Sequence, residues 1–213
     1  MTGTANPALE AFAAQIRSEL ILAQVLIRKI GEGFELRHVA DRSVPAKELK
    51  NVSLAELRPL AQSTESGAFR PLKSSPNLKK GWRVAVAEGP ELGMALGHLY
   101  PGAVADWYAA RQGQPPVTHY REFTSRQTGM YRITQLPSDQ EVAMAIQSCC
   151  QPHFCLKRRF WTVPGIAPDA PETKSIIPCL EPCALLLEFV RTAVRSKQAQ
   201  ERNQLMVSQA DAS

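Results

Sequence analysis

The chain has 213 residues, with 25 basic and 20 acidic side chains and a formal net charge of +5. That length, with 44% hydrophobic residues, can bury one large core or two small ones. The charge tilt is too mild for a dedicated nucleic-acid binder, and no apolar run is long enough for a membrane-spanning helix.

Asn6 and Pro7 open a short amphipathic helix with Leu9, Phe12, Ala13 and Ile16 on one face. The apolar run from Leu20 to Ile27 predicts one buried strand. Gly31-Glu32-Gly33 turns the chain, and the alternation from Phe34 to Val39 predicts the return strand of a hairpin. Ser53 caps a helix from Leu54 to Ala61. A polar loop, Gln62 to Gly67, precedes a strand expected from Ala68 to Leu72. Lys73-Ser74-Ser75-Pro76-Asn77 has the composition of a linker, which places a domain boundary at residue 75.

Beyond it, Trp82 to Ala87 predicts one further strand, entered through the basic and aromatic cluster Lys79-Lys80-Gly81-Trp82-Arg83. The remainder is expected to be helical. Pro90 starts a helix with Leu92, Leu96 and Leu99 inward, Tyr100-Pro101-Gly102 breaks it, and Ala103 to Arg111 continues as another. Arg121 to Thr128 predicts a short helix closed by Gly129. Ser138-Asp139-Gln140-Glu141 is a capping box. Val142, Ala145, Ile146 and Cys149 follow it at helical spacing, which makes Cys149 a core thiol. The last helix is expected to fade into a disordered polar tail over residues 201–213. The fold class is α+β. A small N-terminal hairpin or sheet domain with helices spans residues 1–75, and a mostly helical domain spans residues 76–200.

The remaining four cysteines form two pairs, Cys150-x4-Cys155 and Cys179-x3-Cys183, separated by twenty-three residues. Four soft thiolates select zinc or an iron–sulfur cluster. Zinc knuckles usually hold two to four intervening residues, and gaps of four and three also suit a cluster whose thiolates bind separate irons. Pro178 and Pro182 precede an apolar helical run, so Cys179 and Cys183 are expected at a helix N-terminus, on one face, with free N–H groups nearby. Lys157, Arg158 and Arg159 add positive charge beside Cys155. A 4Fe-4S cluster is the leading cofactor and zinc the alternative. A helix register shifted by one residue would exchange Cys149 and Cys150. The N-terminus has no secretory pattern, so a cytoplasmic location with reduced thiols is expected.

Tyr100-Pro101-Gly102-Ala103-Val104-Ala105-Asp106-Trp107, Arg126-Gln127-Thr128-Gly129-Met130-Tyr131 and the spaced cysteines carry a resemblance. Over about residues 20–195 the chain resembles the two domains that follow the chelatase domains of certain CbiX-like bacterial proteins. These are a small stabilising domain and a 4Fe-4S domain. The resemblance implies that Cys150, Cys155, Cys179 and Cys183 are the ligands and that Cys149 is not. This chain lacks the chelatase domains, so cluster binding is what transfers.

No other chemistry emerges. His38, His98, His119 and His153 have no metal-ligand spacing, and no phosphate loop or nucleophile elbow is present. Trp82, Trp107 and Trp161 are expected as core anchors. Arg126, Tyr131 and Arg132 are candidates to line a ligand surface. The expected function is electron transfer or redox assistance to a partner, a redox protein or a chelatase-like enzyme, with a link to tetrapyrrole metabolism. A zinc interaction module and a cluster-based redox sensor are the alternatives. No catalytic activity is expected of the isolated chain.

Overall fold

The Asn6 side chain accepts hydrogen bonds from the Ala8 and Leu9 N–H groups at 3.1 and 3.2 Å, and Pro7 supplies a preset first helical turn. The helix that follows, Pro7–Ala13 (α1), begins a chain that the computed structural model describes over residues 6–63, 66–67, 76, 78–113 and 115–210. The chain separates into two units. One holds the chain up to Pro116 with Pro152–Arg158 and Asp169–Pro178. The other holds Val117–Gln151, Arg159–Pro168 and Cys179 onward.

The first unit is built on a five-stranded sheet. Its strands are Glu19–Leu22 (β1), Val25–Ile30 (β2), Gly33–His38 (β3), Lys50–Asn51 (β4) and Trp82–Ala87 (β5), in spatial order β1-β2-β3-β5-β4. All neighbours are antiparallel except β4 and β5. The run from Leu20 to Ile27, expected as one strand, is two. Leu22 pairs with Val25, and the two-residue turn between them holds Ala23 in the left-handed region at φ 54°. Alanine gives no sequence signal for such a turn. Tertiary contacts hold it instead: the Gln24 N–H donates to the Tyr100 hydroxyl at 3.2 Å, and Gln24 Oε1 accepts from the Leu78 N–H at 3.0 Å.

One face of the sheet packs on α1 and on the helices Leu54–Gln62 (α2), Pro90–Leu99 (α3) and Ala103–Arg111 (α4). Phe12, Leu36, Leu57, Trp82 and Leu92 lie at the centre of this core. Trp107 meets Phe12 edge-on at 5.3 Å. The opposite face buries a polar network. Glu35 accepts from Arg37 Nε at 2.9 Å and from Arg83 at 3.0 Å, and Arg37 also donates to the Asp41 and Val44 carbonyls. Every charge there has an opposite charge or carbonyl beside it, as burial requires.

The boundary expected at residue 75 is corrected by β5. This strand pairs with β3 over five residues, from Gly33 opposite Ala87 to Arg37 opposite Arg83, so it is integral to the first sheet. The leading segment of the first unit therefore runs on to Pro116. The strand expected over 68–72 and most of the linker at 73–77 lie outside the described residues.

The second unit is mostly helical. It contains Tyr120–Ser125 (α5), a 3-10 segment at Gly129–Gln135, Asp139–Cys149 (α6) and Ala184–Ala210 (α7). A short ribbon pairs Arg158–Arg159 (β6) with Pro178–Cys179 (β7). The helix expected through Thr128 instead ends at Ser125 and resumes as the 3-10 segment. The capping box forms as expected, with the Glu141 N–H on Ser138 Oγ at 3.2 Å and the Ser138 N–H on Glu141 Oε2 at 2.8 Å. Tyr120, Ile146, Trp161, Leu186 and Val190 centre this core. The tail expected to be disordered is helical through Ala210. Glutamine, glutamate, arginine and leucine there are good helix formers, and they extend a helix already nucleated by packing. The fold class is α+β, and among the described residues no helix is long and apolar enough to cross a membrane.

Candidate metal centre

The cysteines are set on helix ends, a ribbon and a loop, and none is bonded to another. Cys149 is the last residue of α6 and completes its apolar stripe, 8% exposed. Cys150 is the cap after it. Its N–H still donates to the Ile146 carbonyl at 2.8 Å, but ψ has moved to 22°, out of the helical range. Successive helical side chains point about 100° apart, so adjacent thiols serve different surroundings. Cys149 is buried in the second core, whereas Cys150 is half-buried at its margin.

Cys179 and Cys183 also border the second core. They do not share a helix face as expected. Cys179 is the second residue of β7, and its carbonyl accepts from the Phe160 N–H at 3.0 Å. Pro182 explains the difference, because a residue preceding proline is driven out of the helical region, and Glu181 precedes it. The helix starts only after Cys183, whose carbonyl accepts from the Leu187 N–H at 3.1 Å. Cys183 thus stands at the N-terminal, positive end of a 27-residue helix.

The sulfurs of Cys179 and Cys155 make polar contacts. The Trp161 indole Nε1–H donates to Cys179 Sγ at 3.3 Å, and the Cys179 thiol contacts the Glu181 carbonyl at 3.3 Å. Cys155 is half-buried on the segment grouped with the first unit, and its Sγ lies 4.0 Å from the Lys157 carbonyl. Among the described residues, no three His, Cys, Asp or Glu side chains gather as a single-ion site. The donor set suits a different group. Three thiols each border the same apolar core, with an N–H aimed at one sulfur and a helix N-terminus at another. Such surroundings favour an anionic cluster whose irons take one thiolate each.

The basic run beside Cys155 is not one surface. Arg159 is 3% exposed, donates to the Trp161 and Ala167 carbonyls, and lies 5.3 Å from the Trp161 ring centroid. Arg158 donates to the Asp169 carbonyl at 3.2 Å. Lys157 acts on Asp106, whose carboxyl is pushed up by burial and drawn back by that ammonium. His153 is exposed and its ring lies tilted against Phe154, 4.1 Å between centroids. Arg126 pairs with Glu122, and the Tyr131 hydroxyl reaches Glu188 at 3.4 Å, so both face helix neighbours. Trp82 and Trp161 are core anchors as expected. That Trp161 also donates to a cysteine was not readable from its position, 18 residues away.

Residues 5–111 match the family model of the DR2241 stabilising domain, and residues 112–192 match that of a 4Fe-4S iron-sulfur cluster binding domain. All five cysteines lie within the second match. The chain is also similar to a solved structure, DR2241 from Deinococcus radiodurans, described as a multi-domain protein with structural similarity to chelatases and with two additional novel domains. Identity is 28% and the TM-score is 0.74, over 89% of this chain and 40% of that one. This chain therefore spans about 40% of the length of that relative. No curated protein matches it.

Proposed function

We propose that this chain, which belongs to the DR2241 stabilising-domain family and carries a 4Fe-4S cluster-binding domain, holds its cluster with Cys150, Cys155, Cys179 and Cys183 and passes single electrons to a partner enzyme. The observation that supports the reading is that Cys150, Cys179 and Cys183 each pack against the second core from its margin, while Cys149 is buried in it. Cys155 completes the set by its spacing within the matched domain.

When bound, the cluster supplies reversible one-electron storage. The chain supplies the rest. Four thiolates leave no iron with an open position, so a substrate has nowhere to coordinate. The apolar core excludes water from one side of the thiols, and the α7 N-terminus and the Trp161 N–H stabilise negative charge on them. The partner is a chelatase-like enzyme acting on a tetrapyrrole, by analogy with a relative described as chelatase-like beyond its two additional domains. The cytoplasm, where thiols stay reduced, is the setting.

Anaerobic purification with iron and sulfide analysis, followed by spectroelectrochemistry, tests this. The expected protein holds four irons per chain and takes up one electron reversibly, as a four-iron cluster does. Serine at any of the four ligand positions lowers the iron content. Full loading in Cys150→Ser, or turnover of a tetrapyrrole by this chain alone, refutes the reading.

A further inference from the structure

We propose that Trp161 is a positioning residue that raises the potential of the cluster through its indole N–H on Cys179, with Arg159 holding the ring in place. The proposal rests on Cys179 being a ligand.

Indole nitrogen is a donor only, so Trp161 Nε1 at 3.3 Å from Cys179 Sγ directs a proton at the sulfur. The ring is 1% exposed, so water does not compete for that proton. Two side chains pack near the ring. The Tyr120 ring lies at 6.4 Å between centroids, and the Arg159 guanidinium lies at 5.3 Å. Arg159 donates to the Trp161 carbonyl and to Ala167, tying the tryptophan backbone to the following loop.

Deprotonation sorts the contacts of Cys179. The free thiol has a carbonyl acceptor at Glu181, 3.3 Å away. A thiolate on iron has no proton to donate, so that contact loses its basis. The Trp161 contact gains instead, because hydrogen bonds to a charged acceptor are the stronger ones. Reduction adds one electron to the cluster and no proton, and part of the added charge falls on the cysteine sulfurs. A donor held there stabilises the reduced form more than the oxidised form, which raises the potential.

The test is redox titration of cluster-loaded Trp161→Phe against wild type, with dithionite as electron source. Phenylalanine keeps an aromatic ring in the core and removes the N–H. The expected result is a roughly tenfold loss in the reduction equilibrium, a midpoint lower by about 59 mV. A second measurement needs no substitution. Pulsed electron paramagnetic resonance of the reduced wild-type protein, with heavy nitrogen in its indoles, is expected to show one indole nitrogen coupled to the cluster. Absence of that coupling overturns the proposal, whether or not Trp161→Phe loads. An unshifted midpoint, with the cluster disrupted in Cys179→Ser, overturns the proposal alone. An intact cluster in Cys179→Ser overturns the ligand assignment and the proposal together.

Discussion

Gly33, opposite Ala87 in the sheet, closely approaches the Val86 carbonyl: a β-carbon added at residue 33 would stand 2.5 Å from that oxygen. That oxygen is backbone, fixed by the pairing of β3 with β5, and cannot swing aside. Gly33→Ala is therefore expected to push the strands apart and cost about 1–3 kcal/mol, the usual range for overpacking. Thermal unfolding of the purified protein checks this. An unchanged Tm would mean that the two strands do not meet at Gly33.

Cys149→Ser is expected to keep its full iron content. A hydroxyl replaces the thiol among Val142, Ala145 and Ile146, at a cost of about 1–3 kcal/mol for burying a polar group. Iron analysis beside denaturant unfolding separates the two effects. Loss of iron from this variant, with retention in Cys150→Ser, would exchange the two residues.

Tyr120 predicts an alkaline transition. Burial pushes its hydroxyl from 10 up to about 12, against the opposing pull of Arg121. The native state therefore keeps its proton where the unfolded chain loses it. The resulting stability is fully present below pH 10 and disappears between pH 10 and about 12, a loss of roughly 3 kcal/mol. Tyr120→Phe is expected to abolish that part of the pH dependence, and to lose the bond to the Thr134 carbonyl as well. Denaturant unfolding of both proteins across this range is the measurement, and parallel curves would refute the prediction.

Removing residues 201–213 is expected to change stability by less than about 0.5 kcal/mol, because surface positions away from specific contacts contribute little. The side chains described from Glu201 to Met206 are exposed, and the ion pair of Lys197 with Glu141 at 2.8 Å is left intact. Iron content and Tm are the readouts. A fall in either would give the end of α7 a structural part that its exposure does not suggest.

The fold was most legible where local chemistry acts alone. Asn6 with Pro7, Ser53, and Ser138 with Glu141 each announce a helix start, and each starts one. Leu92, Leu96 and Leu99 reveal an inward face by spacing. The failures share one cause, dependence on distant contacts. The turn at Ala23 is held by Tyr100 and Leu78, and no residue within it signals a reversal. The place of β5 in the first sheet depends on a partner some 50 residues earlier. At the metal centre, the turn of Cys149 into the core followed from helical periodicity. The strand position of Cys179 and the donor on its sulfur required the fold. Arg159 reads in the sequence as one of three positive charges beside Cys155, yet it is buried over Trp161.

The chain passes between its two units five times, after residues 116, 151, 158, 168 and 178. A module built this way is not a cassette. No single cut frees either half, and a gene rearrangement that carried off only the cysteine-bearing half would strip the sheet-bearing half of Ile177, a residue of its core that is 1% exposed. The two sequence matches meet at one point along the chain, between residues 111 and 112, whereas the structural units change over at five.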